Sequence, residues 1–356
     1  MRWPKAKTTL PMPSVMAAKA VTSGDIQIYL DAFNSCKHDS LWKASMQLFD
    51  INRLSECTRL ANEVAAGTYK ASDYLEFTIN ERGKTRHIQA PAIRDRVLCR
   101  VLCQNILAPR ILPHMIYDNS AAVKGKGISF ARKRILTHLH RYYAEHNTNK
   151  GYILQTDFSK FFDSINHDLL YRALTAYVPE PEIQKLIRII IDSFNDSGTG
   201  IGIGSELSQI SGVVFPSSID TYCKTVRQCK YYGRYMDDIY AIHNDKDLLH
   251  DVYKGMESIA AELQLSFNKH KCSISRIDKG FCFLKGNYRL TDTGKVLCHP
   301  CRKNITRNRR RLPKLPRQVL PNVYRSWRGG ILTQFPNLPY LTLQNFDRLY
   351  NDILSL

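Results

Sequence analysis

Nothing in this chain approaches the run of ~18 apolar residues that a membrane-spanning helix requires, so no membrane association is expected. Met1-Arg2-Trp3-Pro4-Lys5 lacks the continuous apolar segment of a secretory signal. No internal repeat or long low-complexity tract is present, which excludes solenoid and collagen-like architectures. The 10 cysteines are scattered rather than framed, which argues against a disulfide scaffold and for a reducing cytosol. Cys99 and Cys103 are four apart in a helical pattern and read as core. Cys298-His299-Pro300-Cys301 has Cys-x-x-Cys spacing, but no second pair accompanies it and Pro300 stiffens it. A plain loop rather than a zinc site is expected there. Acidic residues are scarce: 32 Asp+Glu face 51 Lys+Arg, a net charge of +19. That excess favours a polyanionic partner through counterion release, with nucleic acid the leading class.

The 356 residues, 44% apolar, are enough for a sizeable core in one large domain or two to three subdomains. Residues 1–24 are basic and proline-punctuated and read as an arm, either mobile or laid across the body. Residues 25–70 read as helices, closed by Gly67-Thr68. Alternation from Tyr74 to Ile79 and through Arg86-His87-Ile88 predicts a hairpin with a basic tip. Helices are expected over Asp95–Leu107 and Ile128–Tyr143, separated by the basic loop Lys124-Gly125-Lys126-Gly127. Further helices are expected near His167–Tyr177, Glu182–Phe194, Ser205–Val226 and Leu248–Leu263. Leu265-Ser266-Phe267 and Phe281-Cys282-Phe283-Leu284 are strand-like. After Cys301 the chain is basic, then proline-punctuated, then helical to Leu356. Strands inserted between helices indicate an α+β fold and not a doubly wound sheet.

Tyr235-Met236-Asp237-Asp238 lies between the apolar runs Tyr231-Tyr232 and Ile239-Tyr240-Ala241-Ile242. The pattern predicts strand, tight turn, strand, with two adjacent carboxylates at the turn. A third acid, Asp157, lies within Tyr152-Ile153-Leu154-Gln155-Thr156-Asp157-Phe158-Ser159-Lys160-Phe161-Phe162. Asp is a common turn residue, so the hairpin acids alone say little. Acids on separate strands, however, can converge on one metal pair. Two Mg²⁺ ions roughly 3.5–4 Å apart can activate a 3′ oxygen and stabilise leaving pyrophosphate. Asp157 and Asp237 would share the ions, and Asp238 would add charge or a looser ligand.

These motifs resemble the palm of a reverse transcriptase, and further motifs agree in order over about residues 70–290. Arg86-His87-Ile88 through Asp95-Arg96-Val97 resembles the first fingers motif. Lys124-Gly125-Lys126-Gly127 resembles the second, and Gly204-Ser205-Glu206-Leu207-Ser208-Gln209 the template- and nucleotide-contacting loop. Asn268-Lys269-His270-Lys271 resembles the motif with a basic residue near pyrophosphate, and Phe283-Leu284-Lys285-Gly286 the primer grip. Group II intron, retron and retroviral enzymes typically read Gln-Gly before the nucleotide-contacting loop and Ser-Pro within it. Ile203-Gly204 and Ser208-Gln209 stand here instead, which looks like the reverse transcriptases of diversity-generating retroelements. Lys124 replaces the usual arginine, and Lys285 interrupts the usual Phe-Leu-Gly. Stand-alone antiviral defence reverse transcriptases, which make untemplated or repetitive DNA, therefore stay an alternative.

The resemblance implies a right-hand polymerase: N-terminal helices and fingers over 25–150, a palm with an antiparallel sheet over 151–290, and a small helical thumb over 291–356. It implies RNA-directed DNA synthesis from dNTPs with two Mg²⁺. Asp157, Asp237 and Asp238 would hold metal, with the Phe158 backbone carbonyl as a further ligand. Lys84, Arg86 and Lys124 would neutralise the triphosphate, and Lys271 would act as general acid. Ile203, Gly204, Ser208, Gln209, Tyr235 and Met236 would line the nucleotide site. Phe162 resembles the steric gate against a ribose 2′-OH, with strand alternation sending Phe161 and Phe162 to opposite faces. Ile203 replaces a glutamine that touches nucleotide and template, which implies low fidelity. Arg302, Lys303, Arg307, Arg309, Arg310 and Arg311 enter the thumb, either gripping an RNA–DNA hybrid or forming a solvated charged face. Implied partners are an RNA template, a dedicated structured RNA and a basic accessory protein oligomer, in the cytoplasm of a bacterial host cell. An RNA polymerase and a non-catalytic RNA-binding scaffold are the competing classes. No RNase H, endonuclease or maturase segment is expected in the remaining residues.

Overall fold

The computed structural model describes residues 12–355 except 39, 82–83, 336–337 and 339; for 12–15, 81, 84, 86 and 341 it describes the backbone alone. Within the expected basic arm, α1 (Met12–Thr22) buries Ala18 and Val21 in the main core. Residues 1–11 lie outside the described residues. Asp25 caps α2 (Ile26–Lys37), accepting from the Gln27 N–H at 3.0 Å. Two further helices, α3 (Ala44–Ile51) and α4 (Arg53–Ala65), complete the helical stretch. It ends where Gly67 takes φ 67°, a left-handed conformation that costs glycine no Cβ clash.

Strands β1 (Leu75–Glu81) and β2 (Lys84–Ala90) pair antiparallel, with Phe77 opposite Ile88. The tip of this hairpin and the side chains of Lys84 and Arg86 lie outside the described residues. Next, α5 (Ile93–Leu102) runs through a π turn at Cys103–Leu107 into α6 (Ala108–Ile111). After the 124–127 loop comes α7 (Ile128–His146).

The centre is an antiparallel sheet in the order β4-β5-β3-β6: β3 (Tyr152–Thr156), β4 (Tyr231–Tyr235), β5 (Asp238–His243) and β6 (Ser273–Arg276). Period-two alternation divides its side chains between two cores. Leu154, Ile239 and Ala241 enter the main core; Ile153, Tyr240 and Ile242 pack with Ile135 and Leu139 of α7 in the second. The main-core side is covered by α8 (His167–Thr175), α9 (Pro181–Asp192), α10 (Glu206–Val214) and α12 (Lys246–Glu262).

Three local expectations are corrected. The helix expected over Ser205–Val226 is interrupted: α10 stops before Pro216, then α11 (Ser217–Thr221) and a π turn at Tyr222–Val226 follow. Proline has no N–H for the helical ladder. Leu265-Ser266-Phe267 is not a strand; only Phe267 forms a bridge, to Phe158. The plain loop expected at Cys298–Cys301 is largely strand. It belongs to the sheet β7 (Phe281–Phe283), β8 (Gly286–Leu290), β9 (Val296–Pro300). Pro300 is tolerated because it ends an edge strand.

The chain closes with α13 (Arg302–Arg311), α14 (Leu320–Gln334) and α15 (Tyr340–Ser355). They share a small core of Leu312, Leu320, Tyr324 and Phe346, with Tyr324 stacked on Tyr350 at 4.2 Å. No helix among the described residues is long and apolar enough to cross a membrane.

Candidate active site

β4 and β5 are joined by a two-residue turn, Met236-Asp237, with Tyr235 paired to Asp238. Met236 sits at φ 53°, the positive value that the twist of a tight hairpin favours. Beneath this turn lies Arg234, which is 1% exposed. Its guanidinium contacts both Asp220 carboxylate oxygens (2.8 and 2.7 Å) and donates to the carbonyls of Gly212 (3.0 Å), Val213 (2.6 Å) and Met236 (3.2 Å). The interruption at Pro216 explains the Gly212 bond. Pro216 cannot donate to the Gly212 carbonyl, which is left for Arg234. The Tyr232 hydroxyl also donates to Asp220, at 2.7 Å. The acidic turn is thus tied to α11 by a fully buried ion pair and to the C-terminal end of α10 by two carbonyl hydrogen bonds.

Asp157 follows the last residue of β3. Thr156 pairs with Ile239, so the same register continued by one residue sets Asp157 beside Asp238. The 265–271 segment braces it: the Asn268 N–H donates to the Asp157 carbonyl and the Ser159 N–H to the Ser266 carbonyl, both at 2.8 Å. Lys271 Nζ donates to the buried Asp157 carboxylate. Burial pulls Lys271 down, but that bond and the charges of Asp157, Asp237 and Asp238 outweigh it and raise its pKa. Burial, then the Asp157 charge, pushes Asp237 up to about 6. Burial, then the charges of Asp237 and Asp157, pushes Asp238 up to about 7.

Among the described residues, no group of three or more His, Cys, Asp or Glu is already gathered around a metal position. Lys271 engages Asp157 instead. The donor set nevertheless fits a hard divalent cation: three carboxylates meet, the Asp157 charge raises both Asp237 and Asp238, and a single ammonium stands against them. A pH dependence follows. Folded values above the ordinary Asp value of 3.8 mean that the folded protein retains protons the unfolded chain has released. In chelator, this contribution to stability is full below 3.8 and is lost as pH rises through about 6 and about 7. Mg²⁺ must displace those protons, so it should raise the melting temperature more at about pH 8 than at about pH 5.5. Melting curves with and without Mg²⁺ test this; an equal or smaller shift at the higher pH contradicts it.

Phe162 borders the same turn, though not by strand alternation. The strand ends at Thr156, Lys160 takes φ 45°, and Phe162 opens a 3₁₀ turn to Ser164. Phe161 is buried, with its ring 5.2 Å from Phe158, and Phe162 is half-buried on the same core with its ring 5.1 Å from that of Phe161, so the two do not take opposite faces. A Cβ added to Gly212 would lie 3.0 Å from Met236 Sδ and 3.5 Å from the Phe162 ring, so the three are neighbours. Phe158 is buried against Phe267, with ring centroids 4.6 Å apart. Tyr235 is half-buried on the second core.

The Gly204 loop precedes α10, whose cap is Ser205. Ser208 points inward: it is 2% exposed and its hydroxyl donates to the Gly202 carbonyl at 2.6 Å. Ile203 is half-buried, while Gly204 and Gln209 are exposed. Lys124 is exposed, whereas its neighbour Lys126 donates to the Tyr117 carbonyl at 2.7 Å. The expected primer-grip residues form the β7–β8 hairpin, with Leu284 and Lys285 in its turn. Arg302, Lys303, Arg307, Arg309, Arg310 and Arg311 are exposed on α13.

Sequence reading missed Arg234 and Asp220. The available signal was a charged residue inside an apolar strand (Tyr231-Tyr232-Gly233-Arg234-Tyr235), which must be paired if it is buried.

A family model described as reverse transcriptase (RNA-dependent DNA polymerase) matches residues 70–297. No curated protein gives a significant match. Among solved structures, apo telomerase from Candida tropicalis aligns with a TM-score of 0.50 at 14% identity, covering 64% of this chain and 48% of that one. Apo telomerase from the same organism, truncated from its C-terminal domain, gives 0.47 at 16% identity, covering 63% and 54%. The chain spans about half the length of these structures, and at such identity the likeness concerns fold alone. Since the family match covers more than half of the sequence, the chain belongs to the reverse transcriptase (RNA-dependent DNA polymerase) family.

Proposed function

We propose that this chain copies RNA into DNA at the site formed by Asp157, Asp237 and Asp238. The observation that carries this is the meeting of those three acids, from two elements eighty residues apart (237 − 157), beside the half-buried Phe162 ring. Bound divalent cations would supply Lewis-acid activation of the primer 3′ oxygen and neutralise charge on the leaving pyrophosphate. Asp157, Asp237 and Asp238 would hold them. Lys271 keeps its proton at Nζ; once Asp157 is otherwise engaged, that ammonium is free to turn to the pyrophosphate and donate. Lys84, Arg86 and Lys124 meet the triphosphate, and the basic face of α13 follows the hybrid backbone.

Phe162 excludes a ribose 2′-OH by bulk. Phe162→Val is expected to reduce discrimination against rNTPs about tenfold or more while dNTP incorporation persists. Single-nucleotide incorporation with each substrate checks this. Ile203 offers no side-chain hydrogen bond to a nascent pair, which supports low-fidelity synthesis of the kind a diversity-generating retroelement uses, with a dedicated RNA and a basic accessory oligomer in a bacterial cytoplasm. The test is incorporation by purified protein with Mg²⁺, with and without a primed RNA template, followed by product sequencing. Template-dependent, error-rich DNA supports this assignment. Synthesis without template favours a defence polymerase, rNTP use an RNA polymerase, and RNA binding without synthesis a scaffold.

A further inference from the structure

If the chain extends primers as proposed above, the primer 3′ end must be held against the acids by something that also fixes the C-terminal helices. We propose that Arg132 is this positioning residue, setting the Leu284-Lys285 turn in register with the thumb. Arg132 lies on α7 and is 5% exposed. Its Nε and Nη2 both donate to the Leu284 carbonyl, the first at 3.2 Å. Its Nη1 donates to Gln334 Oε1 at 2.9 Å, at the last residue of α14. Its guanidinium lies over the Phe335 ring, 4.6 Å from the centroid.

Among the described residues Arg132 forms no ion pair with a carboxylate. A buried cation met only by carbonyl oxygens and a ring is costly to keep, so its place needs another reason than ion pairing. The turn supplies one. Leu284 and Lys285 both take positive φ, 45° and 67°, and neither is glycine. Side chains with a Cβ resist this conformation, and such a turn persists only where its surroundings hold it. Arg132 grips the first turn residue. The second is tied to the thumb, since the Cys301 N–H donates to the Lys285 carbonyl at 2.9 Å, just before α13. One guanidinium therefore links the turn to the far end of α14, while the backbone links it to the start of α13. Lysine cannot copy this, because a single ammonium lacks the planar fork that reaches two acceptors in fixed directions.

The experiment compares wild type with Arg132→Gln, Arg132→Lys and Gln334→Ala on a primed RNA template. It reads KM for primer–template, KM for dNTP, product length in a single binding event under a trap, and duplex affinity by fluorescence anisotropy. Gln334→Ala removes only the thumb contact and keeps the proposal testable if Arg132→Gln folds poorly. The expected result is a primer–template KM and Kd raised about tenfold in Arg132→Gln, with shortened products and an unchanged dNTP KM. Arg132→Lys and Gln334→Ala should show smaller changes in the same direction. A residue that merely stabilises the fold would lower the active fraction and leave the KM values and product length unchanged; that pattern overturns the inference. Loss of synthesis in wild type itself counts against the polymerase assignment, and the anisotropy series then decides the role of Arg132: unchanged duplex affinity in Arg132→Gln and Gln334→Ala overturns it.

Discussion

Asp237→Asn is expected to abolish nucleotide incorporation, by about a thousandfold or more. A loss of that size corresponds to about 4 kcal/mol of transition-state stabilisation, within the several kcal/mol that metal-held charge supplies. The substitution is nearly isosteric and removes one negative charge from a site where three acids compete. Burial and the charge of Asp157 raise Asp237 to about 6, so its ionised form destabilises the cation-free protein at neutral pH. The amide variant should therefore be at least as heat-stable as wild type in chelator at about pH 8, while losing much of the stabilisation by Mg²⁺. Incorporation assays and melting curves on the same preparation separate the two effects. A variant that loses activity and melts early in chelator would point to damage in the hairpin; one that keeps activity would remove Asp237 from the chemistry.

The largest expected losses of stability lie at the Asp220–Arg234 pair. Asp220→Ala leaves the Arg234 guanidinium, 1% exposed, without a counter-charge, and removing one partner of a buried pair costs about 3–5 kcal/mol. Arg234→Met fails differently. It removes the charge but leaves the buried Asp220 carboxylate with the Tyr232 hydroxyl as its donor and frees the Gly212 and Val213 carbonyls, at about 1–3 kcal/mol for each carbonyl left unmet. Replacing both Asp220 and Arg234 by apolar residues should recover part of the loss, because no buried charge then remains. Denaturant unfolding of the three variants checks the order; a double variant as unstable as the sum of the singles would contradict it. Activity should fall further than stability implies in every variant lacking Arg234, since the Met236 carbonyl, held at 3.2 Å, is then released and the acidic turn with it.

Much of the site was legible in one dimension because its signals are local. Apolar alternation on both sides of Asp237-Asp238 requires a hairpin, and the apolar run Tyr152–Thr156 brings in Asp157 just past its end. One helix boundary followed from equally local chemistry: Gly67-Thr68 closes the helical stretch, where Gly67 takes a left-handed conformation. Errors arose where local pattern meets a neighbour. Apolar content over Ser205–Val226 suggested one helix, but Pro216 breaks it and the freed Gly212 carbonyl finds Arg234, twenty-two residues away. Cys298-His299-Pro300-Cys301 looked like a loop because nothing nearby shows that Gly286–Leu290 will lie beside it as β8. Phe161 and Phe162 were expected on opposite faces of a strand, but the strand ends at Thr156 and a positive-φ turn at Lys160 leaves both rings on the main core, in edge contact at 5.1 Å.

By itself the sequence determined the α+β class, the acidic hairpin and the basic excess, which rest on periodicity, turn chemistry and net charge, while the order of its motifs carried the resemblance to a reverse transcriptase. Only the tertiary structure decided which charges are buried, which carbonyls lack a helical partner, and that Lys271 meets Asp157, Arg234 meets Asp220 and Arg132 meets the Leu284 carbonyl. The physical reason is range. Propensity and hydrophobic period act over a few residues, whereas desolvation and ion pairing depend on which distant segments the folded chain sets side by side.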